Sequence, residues 1–187
     1  METNNHICPV WVGYLMANPL RKLQQNPKKI FKNYIRPGMN ILEIGPAMGF
    51  FSIPMAEMTG PDGKVYCVDI QKDMLKQLEK RALKKGVHNI IEPLLSNKDS
   101  LNIYALKGTV DFTLLANVVH EVPDRKKNFA EVGAAMKPNT KLLFIEPKMH
   151  VKEKDWHESL KIAGECGFEP VKSIAVSGSR AFELLKL

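Results

Sequence analysis

The sequence predicts an α/β fold in which a mostly parallel sheet is covered by helices on both faces. Three observations lead there. Short apolar runs alternate with helical segments from residue 40 onward, the pattern of βαβ units. Turn residues punctuate those boundaries: Pro37-Gly38, Gly60-Pro61-Asp62-Gly63 and Lys137-Pro138-Asn139. The first run, Asn40 to Ile44, passes through Gly45 and Gly49 directly into helix-forming sequence. Glycines at such a turn permit positive φ and close backbone approach to a ligand.

Taken in order, strands are expected near Asn40–Ile44, Lys64–Asp69, Ile90–Leu95, Val110–Ala116 and Lys141–Glu146. Helices are expected near Phe50–Thr59, Lys72–Lys85, Arg125–Met136 and Glu153–Cys166. In the second, Met74, Leu75, Leu78 and Ala82 share one face, and Lys72, Lys76, Lys80 and Lys84 line another. Phe129, Val132 and Met136 form a stripe on the third; Trp156, Leu160 and Ala163 face inward on the fourth. Gly167 stands where a helix C-terminal glycine belongs. Two closing runs, Val171–Val176 and Ala181–Leu187, joined by Ser177-Gly178-Ser179, have hairpin spacing, so one of them should run antiparallel. Before this core, residues 7–35 are expected to form one or two helices broken at Pro19 and Pro27. The expected organisation is a single domain over 1–187, with an N-terminal helical segment over 1–35 and a core over 36–187.

Composition narrows the function. Of 187 residues, 44% are hydrophobic and 25% charged, values ordinary for a water-soluble globular protein. No apolar run approaches the roughly 20 residues of a membrane span, and residues 1–6 lack the order of a secretion signal, so a cytoplasmic setting is expected. Three cysteines without Cys-x-x-Cys spacing indicate reduced thiols, with Cys67 a small core residue. No His, Cys and Asp set has metal-ligand spacing. The net charge of +7 permits an acidic partner, but aromatic residues are not interleaved with the lysines, so a solvated helix face is expected over a nucleic-acid patch.

The chemistry concentrates around two acids. Glu43 stands two residues before Gly45, and Asp69 ends the next strand-like run. An acid at that second strand tip can take the two hydroxyls of a ribose; its structural alternative is a carboxylate at the N-terminus of the helix beginning at Lys72. Gly-x-Gly-x-x-Gly is absent, and a carboxylate at Glu43 repels a pyrophosphate but suits a cationic ligand. Here the chain resembles the class I S-adenosylmethionine-dependent methyltransferases, whose first motif runs acidic-x-Gly-x-Gly-x-Gly. Glu43, Gly45 and Gly49 match it, with Ala47 in place of the middle glycine. The resemblance covers about Asn33 to Leu187. It implies a Rossmann-like three-layer sandwich with a seven-stranded, mostly parallel sheet ending in an antiparallel hairpin.

The same resemblance implies S-adenosylmethionine as cofactor and assigns roles around it. Glu43 would hold the ammonium end, directly or through water; Gly45 and Gly49 would give backbone approach. Asp69 would bind the ribose and Ile70 lie against the adenine. Asn97, or next Asp99, would meet the adenine amino group, the alternative being a helix cap by Asp99 or Ser100. Asn117 would touch the methionine portion. His120, in a post-strand segment often Leu-His-His in the family, would be a base or substrate contact, the alternative being a structural histidine. Glu146 and His150 would form a second rim of that cleft. The acceptor is expected to be a small molecule, as in quinone-type relatives. Three further readings stay open: an RNA or protein methyltransferase, a non-catalytic S-adenosylmethionine-binding regulatory protein, and a nucleotide-dependent dehydrogenase.

Overall fold

A computed structural model describes residues 25–187. The expected segment over 7–35 therefore falls mostly outside the described residues, as do Pro19 and Cys8. Its end is visible as helix α1, Pro27–Phe31. Pro27 opens this helix rather than breaking one, because at its first position proline forfeits no hydrogen bond. Asn26 caps it, accepting the Lys29 amide at 3.3 Å.

The core follows as β1 (Asn40–Ile44), α2 (Ser52–Thr59), β2 (Lys64–Asp69), α3 (Lys72–Lys85), β3 (Ile91–Leu95), β4 (Val110–Ala116), α4 (Arg125–Ala135), β5 (Met136–Pro147), α5 (Glu153–Glu165), β6 (Phe168–Ser173) and β7 (Ser179–Lys186). The seven strands form one sheet ordered β3-β2-β1-β4-β5-β7-β6. β1 to β5 pair in parallel, and β7 runs antiparallel to both β5 and β6. This is the seven-stranded arrangement expected, with the reversed strand lying inside the hairpin edge rather than at it.

Strand alternation splits the core into two layers. On one face α1, α2 and α3 cover Ile41, Cys67 and Leu114, with Phe31, Phe51 and Phe112 in edge contact. On the other, α4 and α5 cover Leu42, Val68 and Leu115, and Phe144 stacks on Trp156 at 4.6 Å between ring centres. The lysine face of α3 is exposed and its apolar face buried, as the periodicity predicts.

Two boundaries differ from expectation. β5 begins at Met136, not Lys141, because Pro138-Asn139 forms a bulge within the strand: pairing with β4 jumps from Val110–Met136 to Phe112–Lys141. β6 begins at Phe168, directly after Gly167, and pairs through Ser173; the remaining residues of the expected run lead to the turn at Ser177-Gly178, with the Ile174 amide still donating to the Ala181 carbonyl at 2.9 Å.

From the centre the chain winds both ways, β1 to β3 on one side and β4 to β5 on the other. The carboxyl ends of β1 and β4 therefore diverge and leave a crevice, the position where open α/β sheets bind ligands.

Candidate active site

That crevice holds a cavity of about 690 Å3, within the roughly 300–1,000 Å3 of small-molecule sites. Gly45, Asp69, Ile70, Asn97, Asp99, Asn117 and His120 all line it. Glu43 and Gly49 do not.

The turn after β1 sets one wall. Gly45 has φ +70°, and a methyl there would lie 2.8 Å from Val118 Cγ2. Its amide donates to the Val68 carbonyl at 2.9 Å, tying the turn to the tip of β2. Ala47 takes the left-handed region at φ +48°, a conformation costing a non-glycine residue roughly 1–2 kcal/mol. The chain pays that strain to keep the same backbone path that a glycine would follow freely.

Asp69 is 9% exposed and holds this wall together. Its Oδ1 accepts the Gln71 amide at 2.8 Å, and the amides of Ala47 and Ile70 also bond to the carboxylate. Burial pushes its pKa up, and the three amides pull part of the way back. The acid thus joins the β1 turn to the β2 tip while still reaching the cavity; it bonds the amide of Gln71 just before α3 and caps no amide within that helix.

Glu43 has a different setting. Alternation along β1 sends it to the same side as Ile41, where it is wholly buried and accepts the Ser52 hydroxyl at the start of α2. Burial drives its pKa up to about 8; the Ser52 bond opposes this and the nearby Asp69 charge adds to it. A carboxyl with a folded pKa above its unfolded 4.5 favours the folded state while neutral, and that contribution fades as pH rises toward 8. Glu43→Gln, neutral throughout, should therefore gain melting temperature relative to the parent as pH rises from about 5 to about 8. A constant difference across that range would place the Glu43 pKa near the ordinary value.

The loop after β3 forms the next wall. The Ser96 amide donates to the Asp69 carbonyl at 3.0 Å, and Glu131 of α4 accepts the Leu101 amide at 2.8 Å. Asn97 spends its side-chain oxygen inside this loop, accepting the amides of Asp99 and Ser100 at 2.8 Å each. What Asn97 has left is an N–H donor, ill-matched to an adenine amino group; the carboxylate of Asp99 is an acceptor and matches it. No α-helix follows for Asp99 or Ser100 to cap: only a single 3-10 turn, Tyr104–Leu106, lies between β3 and β4.

The opposite wall comes from the tips of β4 and β5. Asn117 adopts φ +57° and donates its amide to the Ile145 carbonyl at 2.8 Å. His120 is paired to Glu146: Nδ1 lies 2.6 Å from Oε2, and the His120 amide donates to Oε1 at 3.2 Å. Glu146 is 1% exposed and outside the cavity wall, behind the ring that it holds. His150 lines the cavity as an exposed side chain. Burial lowers the His120 pKa, but the bond to Glu146 and its charge outweigh this, and the net direction is upward.

Sequence reasoning placed Glu146 and His120 on neighbouring rims but missed that they bond. It also missed Gln25, whose amide donates to the Ser177 carbonyl at 2.8 Å and which lines the cavity beside the β6–β7 turn. Among the described residues no set of three or more His, Cys, Asp or Glu could hold a metal ion, and no helix is long and apolar enough to cross a membrane.

The donor set fits the cofactor that the sequence suggests. A glycine turn closed to any side chain and a buried carboxylate at the next strand tip line a cavity of sufficient size. Comparison with known proteins agrees. A methyltransferase-domain family profile matches residues 35–174. The demethylmenaquinone methyltransferase of Geobacillus sp. (strain WCH70) is 26% identical over 112 residues, 60% of this chain and 47% of that protein. The ubiquinone/menaquinone biosynthesis C-methyltransferase UbiE of Francisella tularensis subsp. novicida is 29% identical over 120 residues, 63% of this chain and 46% of that one. The chain thus spans about half the length of the curated relatives it matches. The crystal structure of a SAM-dependent methyltransferase from Aquifex aeolicus superposes with a TM-score of 0.85 at 23% identity, covering 97% of this chain and 100% of that one. Sheet order, cleft and family profile coincide: the chain belongs to the methyltransferase-domain family, within the class I S-adenosylmethionine-dependent methyltransferases.

Proposed function

We propose that this protein transfers a methyl group from S-adenosylmethionine to a small, flat, apolar-bodied acceptor of the quinone-precursor kind, in a cytoplasmic setting and as one domain. One observation carries the reading: a single cavity joins the Gly45 and Asp69 wall to the His120 wall. It can therefore hold a nucleoside against the first and a second molecule against the other. Bound there, the cofactor supplies a methyl carbon already activated by a sulfonium, whose sulfur keeps the bonding pair on departure. Little covalent work is then left to the protein, and holding two reactants in contact without water supplies much of the rate.

Asp69 would take the ribose hydroxyls, Ile70 and Met74 the adenine faces and Asp99 the adenine amino group. Gly45 and Asn117 would flank the methionine portion. Glu43, buried against Ser52, would act on the ligand only through the turn above it. Val118, Val122, Pro123 and Pro147 give the acceptor side apolar surface. The relatives named for quinone biosynthesis support such an acceptor.

Calorimetric titration with S-adenosylmethionine and NAD, followed by labelled methyl transfer to hydroxyarenes, bulk tRNA and a protein mixture, tests the proposal. Saturable binding of the first cofactor and transfer to a hydroxyarene are expected. Preference for NAD would overturn the cofactor, and transfer to tRNA or protein alone the acceptor. Binding without transfer to anything would leave a regulatory binding protein.

A further inference from the structure

We propose that His120 and Glu146 form an acid–base pair that takes the hydroxyl proton of a neutral hydroxyarene acceptor. His120 acts through Nε2 as the catalytic residue, and Glu146 serves as the positioning residue. This rests on the methyltransferase reading above and adds to it the protonation state of the substrate.

The geometry is specific. Parallel pairing of β4 with β5, Ala116 opposite Ile145, brings residues just beyond the two strand tips together. Glu146 uses both carboxylate oxygens on one residue, Oε1 on the His120 amide and Oε2 on Nδ1. An ionised carboxylate only accepts hydrogen bonds, so the bond assigns the proton to Nδ1 and leaves Nε2 with a lone pair. Because Glu146 lies behind the ring and His120 lines the cavity, Nε2 is the ring nitrogen left to meet a ligand. A histidine bonded solely to backbone would need no buried acid behind it; an acid there holds the ring's orientation and stabilises an imidazolium once formed.

Charges around the ring fit a proton acceptor. Glu121 Oε1 lies 3.9 Å from Nε2. Glu146 and Glu121 favour the protonated ring, while Arg125 and burial oppose it. In the step itself the acceptor's O–H bond breaks and an Nε2–H bond forms. The oxygen keeps the electron pair, which makes the aryloxide the nucleophile, through that oxygen or the ring carbon conjugated to it, and the proton later leaves Nε2 for water. A thiolate or a tertiary amine would have no use for this pair, since each arrives with its electrons free. A hydroxyl on an apolar ring does need it, and Val118, Val122, Pro123 and Pro147 wall the same side of the cavity.

Two measurements on the full chain decide the matter. The first is 15N-detected NMR of the His120 ring without cofactor. The neutral ring should be protonated on Nδ1 in the parent and switch to Nε2 in Glu146→Gln, whose amide donates where the carboxylate accepted. An Nε2-protonated parent ring would overturn the proposal. The second is methyl transfer to 1,4-dihydroxynaphthalene across pH. Glu146→Gln and His120→Asn should lower kcat by about 100-fold at neutral pH. KM should barely move, and the deficit should shrink at alkaline pH as the substrate ionises unaided. Rates equal to the parent's would overturn the acid–base role. Failure of the parent to methylate this probe while binding S-adenosylmethionine would overturn the acceptor class. Loss of cofactor binding itself would instead strike the methyltransferase reading, and the NMR result would stand apart from it.

Discussion

Asp69→Ala is expected to weaken S-adenosylmethionine binding by about 100-fold in a calorimetric titration. The carboxylate is the acidic group at the β2 tip facing the cavity, and it is nine-tenths buried. A hydrogen bond to a charged acceptor contributes about 1.5–3 kcal/mol, and in the proposed function two ribose hydroxyls would share this one. Losing about 3 kcal/mol corresponds to about two orders of magnitude in Kd. The substitution also strips an acceptor from the amides of Gln71, Ala47 and Ile70, so a lower melting temperature will accompany it. Asp69→Asn separates the two effects, because it keeps an oxygen for the amides and removes only the charge. Unchanged affinity in both variants would move the nucleoside away from β2.

Gly49→Ala should be the most damaging single-methyl change near the site, although Gly49 does not line the cavity. Its φ is +82°, and an added Cβ would sit 2.4 Å from Leu78 Cδ1, a fully buried side chain of α3. Overpacking of this kind costs about 1–3 kcal/mol, with left-handed strain of about 1 kcal/mol added. The expected loss is about 3 kcal/mol, seen as a fall in Tm on the order of 10 °C for a chain of this size. A Tm within a degree or two of the parent's would mean that Leu78 has room to move. The third motif glycine is thus a packing residue, the spacer that lets α3 close on the turn.

What could be read in the sequence was whatever depends on local periodicity. α3 runs from Lys72 to Lys85 as expected because its buried stripe is unambiguous and Gly86, at φ +70°, stops it. β1, β2 and β4 match their apolar runs for the same reason. Errors arose where tertiary pairing overrode a local signal. Pro138-Asn139 has the chemistry of a turn, and Asn139 does adopt φ +58°, yet β4 draws both flanks into one strand.

Side-chain partnerships were harder to read than backbone. The bond between His120 and Glu146 joins residues 26 positions apart, and nothing in the spacing announces it. The position of Asn97 suits adenine, but its side-chain oxygen is committed to the Asp99 and Ser100 amides, a local bond that the sequence does not announce. The setting of Glu43 is legible in the sequence. Period-two alternation puts it on the face of Ile41, not on that of Ile44, which does line the cavity.

The two walls of the cleft have separate origins. Loops following β1, β2 and β3 furnish one, while those following β4 and β5, with the distal hairpin, furnish the other. Under the proposed function, acceptor preference would drift through substitutions in the second group without disturbing the grip on the methyl donor. Such a division allows one scaffold to be retuned during evolution toward new molecules, one rim at a time.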